Sequence, residues 1–224
     1  MVTIDNQVFA FLQKLENHND REWFATHKDE YQQARHNVEV FVDALIAKII
    51  SFDDSIVGNS GKNCIFRIYR DVRFSLDKSP YKRHFGAYIA PGGKNVNRAG
   101  YYIHIQDNNS LLAAGLWCPE NKILKKIRQE LYYAPEDLLS ILQQQSFKKE
   151  WQTLSEEGML KRSPRDYPAD FQYIDLLKYR SFCVEKSLSN KQVCTSDFLQ
   201  VCEQAFLSAK DLVKYMNYLI KLED

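Results

Sequence analysis

The chain has 224 residues, 45% of them hydrophobic and 26% charged, which is an ordinary globular composition with enough apolar material to bury a substantial core. We expect a single domain over residues 1–224. The 30 Lys and Arg residues nearly balance the 29 Asp and Glu residues. This balance excludes a molecule-wide field that attracts nucleic acid or an acidic membrane, so any basic character is local.

The N-terminal stretch MVTIDNQVFAFLQKL lacks the long apolar core of a secretory signal, and no later segment approaches the roughly 20 apolar residues that span a bilayer. We therefore expect a cytoplasmic protein with no membrane partner. The five cysteines have no CxxC spacing and no histidine beside them. The expectation is reduced, mostly buried thiols, with no metal site and no cofactor.

Two helices are predicted at the start of the chain. Apolar residues recur at helical spacing from Val8 to Leu15, and Asn19 followed by Glu22 resembles the start of a second, long helix that ends near Ile49. A loop from Ser55 to Gly61 follows.

A cluster of strands comes next. From Cys64 to Tyr69, side chains alternate with a period of two residues, which predicts a first strand. Three further strands are predicted at His84–Ala90, Tyr101–Gln106 and Leu111–Trp117. Pro91-Gly92-Gly93 and Asp107-Asn108-Asn109 are turn signals between them. Connections this short favour an antiparallel meander, because parallel strands need long crossovers.

The rest of the chain is mostly helical. Pro119-Glu120 and Pro135 suit first helical turns, Ser181–Glu185 has the pattern of a further strand, and residues from Phe198 to Ile220 keep a strong helical period. The sequence therefore predicts an α+β fold: an antiparallel sheet of about four to six strands, helices packed on one face, and long helices at both ends of the chain. The other sheet face then carries Arg67, Tyr69, His84, Tyr88, Tyr102 and His104.

The run from Ile65 to Phe85 is the most informative segment, because it holds six basic residues against only Asp71 and Asp77. Arg67, Asp71 and Arg73 share parity on an extended chain, so two guanidinium groups flank one carboxylate or converge on a bound phosphate or carboxylate. The pattern then favours Asp71 as an orienting partner over a general acid. Ser79-Pro80 leaves helical geometry and presents neighbouring side chains from a loop.

The chain resembles an uncharacterised family, domain of unknown function 2461, found in bacteria and fungi. The resemblance rests on FRIYRDVRFSLDKSPYK, with NDREWFATHKDEY before it and GYYIHI, AAGLWCPE and DLLKYRSF after it, so it covers nearly the whole chain. It implies one domain and no assigned activity. The family pattern matches at Trp23, Phe24, Lys28, Tyr31, Arg67, Arg70, Asp71, Arg73, Phe74, Asp77, Lys78, Pro80, Tyr81, Lys82, Gly115, Pro119 and Arg128. It departs at Leu76, at Arg165-Asp166-Tyr167 and at Phe171-Gln172.

These patterns give the candidate site. The predicted ligand-binding residues are Arg67, Arg70, Arg73, Lys78, Tyr81 and Lys82. Weak candidates for proton transfer are Tyr81, His84 and Asp71. A pocket wall is predicted from Trp23, Lys28, Tyr31, Tyr102 and His104.

Three functions fit this pattern. In the first, the chain is an enzyme or small-molecule binder whose basic groups hold a phosphate- or carboxylate-bearing ligand. In the second, the same patch with Tyr69, Phe74 and Tyr81 binds single-stranded nucleic acid by phosphate contacts and stacking. In the third, the run is a structural strand and loop whose charges form surface ion pairs, and the protein acts through an interface elsewhere.

Overall fold

The structure is a computed structural model and describes residues 2–221. The helices are α1 Asn6–Asn17, α2 Arg21–Thr26, α3 Lys28–Ile50, α4 Gly61–Cys64, α5 Asn121–Tyr133, α6 Pro135–Gln143, α7 Gln145–Glu150, α8 Ile174–Lys178, α9 Asn190–Val193 and α10 Phe198–Lys221, with a 3₁₀ turn at Asp54–Ile56. The strands are β1 Phe85–Ile89, β2 Gly100–Ile105, β3 Ser110–Leu116 and β4 Phe182–Leu188.

The four strands form one antiparallel sheet in the order β1-β2-β3-β4. Gly92 and Gly93 adopt positive φ angles of 83° and 90° after β1, and Asn108 adopts 53° between β2 and β3. These are backbone conformations that glycine and asparagine reach most easily. The predicted α+β class, the antiparallel meander and the long helices near both ends are confirmed.

The first predicted strand is wrong. Cys64 ends helix α4 rather than beginning a strand, because Ser60 caps this short helix by accepting a hydrogen bond from the Asn63 N–H at 3.4 Å. The following residues form only isolated antiparallel bridges, Ile65 with Ala87 and Tyr69 with Tyr81. The segment is extended beside the sheet without being a continuous strand.

The prediction of one long second helix is also wrong, because the segment starts one residue later and forms two helices, α2 and α3. Asp20, not Asn19, is the N-cap of α2, and its carboxylate accepts from the Trp23 N–H at 2.9 Å. His27 leaves helical geometry with φ −111° and ψ 20°, which separates α2 from α3. Helix α5 likewise begins at Asn121, after the predicted Pro119-Glu120 turn.

The sheet has two distinct faces because side chains alternate along each strand. Phe85, Ala87 and Ile89 of β1 are buried, as are Tyr101, Ile103 and Ile105 of β2. The residues between them include Tyr88, Tyr102 and His104, which are partly exposed. The sequence predicts these residues on the sheet face opposite the packed helices.

The chain divides into two compact units. The first contains the chain up to Lys94 with Tyr102–Leu112 and Ser187–Gln204, and the second contains Asn95–Tyr101, Ala113–Lys186 and the chain from Ala205 onward. The expectation of a single domain stays a prediction. Within the part of the chain that the structure describes, no helix is long and apolar enough to cross a bilayer.

Candidate functional site

Residues 65–70 and 80–87 lie antiparallel and form the arms of a hairpin, and residues 71–79 form its tip loop. The Phe66 N–H donates to the Gly86 carbonyl at 2.9 Å, and the Lys82 N–H donates to the Ile68 carbonyl at 2.7 Å. The Arg70 N–H closes the ladder on the Pro80 carbonyl at 2.9 Å. Pro80 has no N–H to donate, so its place at the end of an arm costs no ladder hydrogen bond.

Arg70 organises the tip loop from inside. Its guanidinium donates to Asp77 Oδ2 at 2.6 Å, to the Ser79 carbonyl at 3.0 Å and to Ser75 Oγ at 3.3 Å. The Ser79 hydroxyl and N–H also donate to Asp77 Oδ1. Hydrogen bonds from Ser79, followed by Arg70, lower the pKa of Asp77 below its usual range. Arg70 therefore supports the tip loop through three hydrogen bonds.

Two further predicted ligand-binding residues have partners within the tip loop. Arg73 forms a bidentate pair with Asp71, with Nε to Oδ1 at 2.9 Å and Nη2 to Oδ2 at 2.6 Å. This pair, with a smaller contribution from Arg67, lowers the pKa of Asp71. Lys78 Nζ donates to the Val72 carbonyl at 3.1 Å. The structure thus places Arg73 beside Asp71 and engages Lys78 in a hydrogen bond within the tip loop.

Tyr81 lies in the core. Its side chain is only 5% exposed and its ring stacks on Phe24 with centroids 4.0 Å apart. Burial raises the pKa of its hydroxyl. Its backbone is held by the side-chain amide of Asn19, a residue that the sequence had suggested as a helix cap. Tyr81 therefore anchors this arm of the hairpin through its ring, which packs on Phe24.

The predicted pocket-wall residues separate into two places. Trp23 stacks on His27 at 4.0 Å, and Tyr31 lies within 5.9 Å of Phe11 and 6.1 Å of Phe85, so both belong to the aromatic packing around α1 and α3. Lys28 is exposed at the start of α3. Tyr102 and His104, by contrast, lie together on the partly exposed sheet face.

His104 on β2 has both ring nitrogens engaged. Nε2 is 2.9 Å from Gln106 Oε1, which can only accept, so Nε2 carries the proton. This assigns Nδ1 as the acceptor of the Tyr102 hydroxyl at 2.8 Å. Burial lowers the pKa of His104 and raises the pKa of Tyr102 to about 12. Both groups are therefore neutral, and the order of hydrogen bonds is Tyr102 to His104 to Gln106.

His84 packs beside this network, with its ring centroid 4.1 Å from that of His104 and its plane tilted by 31°. No hydrogen bond joins the His84 imidazole to any residue of the described range 2–221. Burial, followed by the nearby His104 and Lys82, lowers the pKa of His84 to about 3. The structure thus brings together three of the predicted residues, His84, Tyr102 and His104, and leaves one neutral imidazole without a protein partner.

Two lysines lie over the ring of Phe66. Lys82 Nζ is 5.3 Å and Lys94 Nζ is 5.8 Å from the ring centroid, which is cation–π range. Lys94 also donates to the Ile65 carbonyl. Burial lowers the pKa of both lysines, and Arg67 and Lys94 lower the pKa of Lys82 further. We define Arg67, Lys82 and Lys94, with the Phe66 ring that both lysines approach, as the cation cluster.

Sequence reasoning missed Lys94. It follows Gly92-Gly93, which the sequence explains fully as a turn, and its side chain reaches a carbonyl 29 positions away. Its one sequence signal is an isolated basic residue at the end of a glycine turn. Among the described residues, no group of three or more His, Cys, Asp or Glu side chains is placed to hold a metal ion.

Comparison with known proteins gives a single result. A family model described as "Conserved hypothetical protein (DUF2461)" matches residues 7–215. The matched range includes the hairpin, the cation cluster and all four strands. No curated protein and no solved structure matches the chain.

Proposed function

The chain belongs to the conserved hypothetical protein family DUF2461, and we propose that it binds a small anionic molecule, carrying a phosphate or a carboxylate, at the cation cluster. The observation that carries this proposal is that Lys82 and Lys94 hold their ammonium groups over one ring. Within residues 2–221, no carboxylate forms an ion pair with either lysine or with Arg67.

The charges of this cluster favour an anion. The basic side chains of the cluster repel one another, and this repulsion is stronger because they are partly buried. The free energy of the empty site is therefore raised, since each cation disfavours the charged form of the others. A bound anion replaces that repulsion with attraction. Arg67 can hold one edge of a phosphate or carboxylate bidentately, and each ammonium adds a point charge.

The remaining basic residues of the hairpin take a supporting role in this proposal. Arg70 and Lys78 form hydrogen bonds inside the tip loop, and Arg73 is neutralised by Asp71. They hold the loop, while Tyr81 holds the arm that carries Lys82. The proposal therefore narrows the predicted ligand-binding set to Arg67 and Lys82 and adds Lys94.

Calorimetric titration with inorganic phosphate and with malonate tests the proposal. We expect Lys82→Gln and Lys94→Gln each to weaken binding about tenfold or more, as expected for a lost charge-assisted contact. Arg73→Gln and Lys14→Gln are the matched controls, because both side chains already have a carboxylate partner. Unchanged affinity in Lys82→Gln and Lys94→Gln would remove the site from this cluster.

Single-stranded nucleic acid is the second candidate, favoured by the tip loop. Phe74 is 96% exposed, with the Arg73 guanidinium carbon 5.9 Å from its ring centroid, and Tyr69 is 54% exposed. Exposed rings next to cations suit base stacking. Tyr81, the third ring of the original prediction, is buried and takes no part.

Salt dependence separates the two candidates. If the tip loop binds an oligonucleotide, log affinity falls linearly with log salt, and Arg73→Gln reduces the slope by about 0.7 for a lost phosphate contact. Phe74→Ala then weakens oligonucleotide binding and leaves phosphate binding at the cation cluster unchanged. An absence of oligonucleotide binding at low salt would remove this second candidate.

A further inference from the structure

We infer that the cation cluster takes a dianion together with one proton, and that His84 is the group that accepts this proton. The inference rests on the proposed anion site and specifies its ligand class: a phosphoryl-type dianion rather than a monocarboxylate. Its basis is the arrangement of two adjacent imidazoles beside Lys82: His104 has both nitrogens engaged, and His84 makes no side-chain hydrogen bond to any residue within 2–221.

Burial lowers the pKa of His104 and so favours its neutral form. Its Nε2–H donates to Gln106, and its Nδ1 accepts from the Tyr102 hydroxyl. Protonation of Nδ1 would reverse its hydrogen bond with Tyr102, because the imidazolium would donate to the phenol oxygen and the phenol O–H would lose its acceptor. His84 is therefore the member of the pair that can gain a proton without taking an acceptor from a neighbouring side chain.

That member is His84. Its ring lies 4.1 Å from the His104 ring, and no residue of the described chain hydrogen-bonds to it. The titratable groups that face it are His104, from β2, and Lys82, from its own arm of the hairpin. The lysine charge disfavours an imidazolium in the empty site.

A dianion shifts this balance further than a monoanion does. With a dianion bound, Arg67, Lys82 and Lys94 retain one net positive charge, and an imidazolium N–H of His84 can donate to one of the ligand oxygens. With a monoanion bound, two net positive charges remain, and they disfavour a charged His84 more strongly. The site therefore discriminates between the two ligand classes by charge, and it gains a proton with one of them.

Sulfate is the appropriate probe, because its charge does not change between about pH 5 and about pH 8, whereas phosphate titrates there itself. The experiment is calorimetric titration of the full chain with sulfate in buffers of different ionisation enthalpy. We expect proton uptake at about pH 5.5 and an affinity about tenfold higher than at about pH 7.5. Acetate should give no uptake.

His84→Gln should abolish the uptake and flatten the pH dependence. His36→Gln is the matched control, since His36 is an exposed histidine of α3, and it should keep both. A second measurement on the unaltered protein is the imidazole ¹⁵N spectrum, in which sulfate should convert His84, and not His104, to the imidazolium.

The outcomes separate this inference from the proposed function. Sulfate binding without proton uptake, uptake that persists in His84→Gln, or equal uptake with acetate would overturn the inference and leave the anion site intact. An absence of binding by sulfate, phosphate and malonate alike would overturn both.

Discussion

The side-chain amide of Asn19 forms two hydrogen bonds with the backbone of Tyr81: Nδ2 donates to the carbonyl oxygen at 3.0 Å, and Oδ1 accepts from the N–H at 3.0 Å. An asparagine placed this way acts as a short substitute for a neighbouring strand. It connects the turn before α2 to the arm of the hairpin that carries Lys82 and His84. The position of the cation cluster therefore depends on a residue 62 positions away.

Asn19→Ala should lower the free energy of unfolding by about 2 kcal/mol, because it leaves a partly buried backbone N–H and carbonyl without partners. It should also weaken phosphate binding, since the arm with Lys82 loses its fixed position. Asn217→Ala is a matched control, because Asn217 makes the same two bonds to the backbone of Ala99. The control should lose similar stability in a denaturant titration and keep its phosphate affinity. Equal phosphate affinity in both variants would contradict the coupling.

Gly86 lies against the phenol of Tyr102. A Cβ at this position would be 2.6 Å from the Tyr102 hydroxyl oxygen, closer than a carbon atom tolerates. Gly86→Ala should therefore destabilise the protein by about 1–3 kcal/mol through forced displacement of Tyr102. In combination with Tyr102→Phe, which removes that oxygen, the cost of Gly86→Ala should shrink. A double-mutant cycle by urea unfolding measures the coupling, and strictly additive costs would mean that the hydroxyl is not the obstacle.

The cysteines should differ strongly in reactivity. Burial raises the pKa of Cys64 to about 11 and that of Cys183 to about 12, whereas Cys118 is exposed. Because the thiolate is the reactive form, alkylation of the native protein at about pH 8 should label Cys118 first. Cys64 and Cys183 should react only after denaturation, as read by peptide mass spectrometry. Cys118→Ser should lack the fast phase, and rapid labelling of Cys64 in that variant would argue against its burial.

His84 should make the protein less stable in acid. Its pKa is about 3 in the folded chain against 6.5 for an ordinary histidine, so between these values the unfolded chain binds more protons than the folded one. Stability from this group is complete above about pH 6.5 and falls toward about pH 3, by at most about 1.4 kcal/mol per pH unit. His84→Gln should flatten the acid limb of a stability–pH curve, measured without added anions. His36→Gln should follow the parent curve, and an unaltered limb in His84→Gln would show that His84 does not carry it.

The secondary structure was predictable wherever the pattern was local. Strands β1 to β3 follow from alternating burial and from the Gly92-Gly93 and Asn108 turns, and α10 follows from a sustained helical period. The same reasoning failed at Cys64, because a helix of four residues and an alternating strand look alike over so short a stretch. A long-range contact also fixes this segment: the Gly61 N–H donates a hydrogen bond to Asp43 Oδ1, in α3, at 2.7 Å.

The candidate site was predictable only in part. The sequence placed six basic residues in one short run and put His84, Tyr102 and His104 on one sheet face. It did not show that Arg70, Arg73 and Lys78 form hydrogen bonds with groups of the tip loop. Such hydrogen bonds depend on the path of the whole loop backbone, which residue types alone do not give. Nor did the sequence show that Tyr81 is buried, since Phe24 and Asn19 lie more than fifty positions away.

The sequence by itself determined the α+β class, the family, and the concentration of positive charge between Ile65 and Phe85. These properties depend on residue types and on periods of two or about four residues, which any linear reading detects. Only the tertiary structure decided which basic side chains of residues 2–221 have no carboxylate partner. Lys82, Lys94 and His84 meet because a hairpin arm, a glycine turn and two strands come together, and the energy of a buried charge depends on its neighbours in space rather than in sequence.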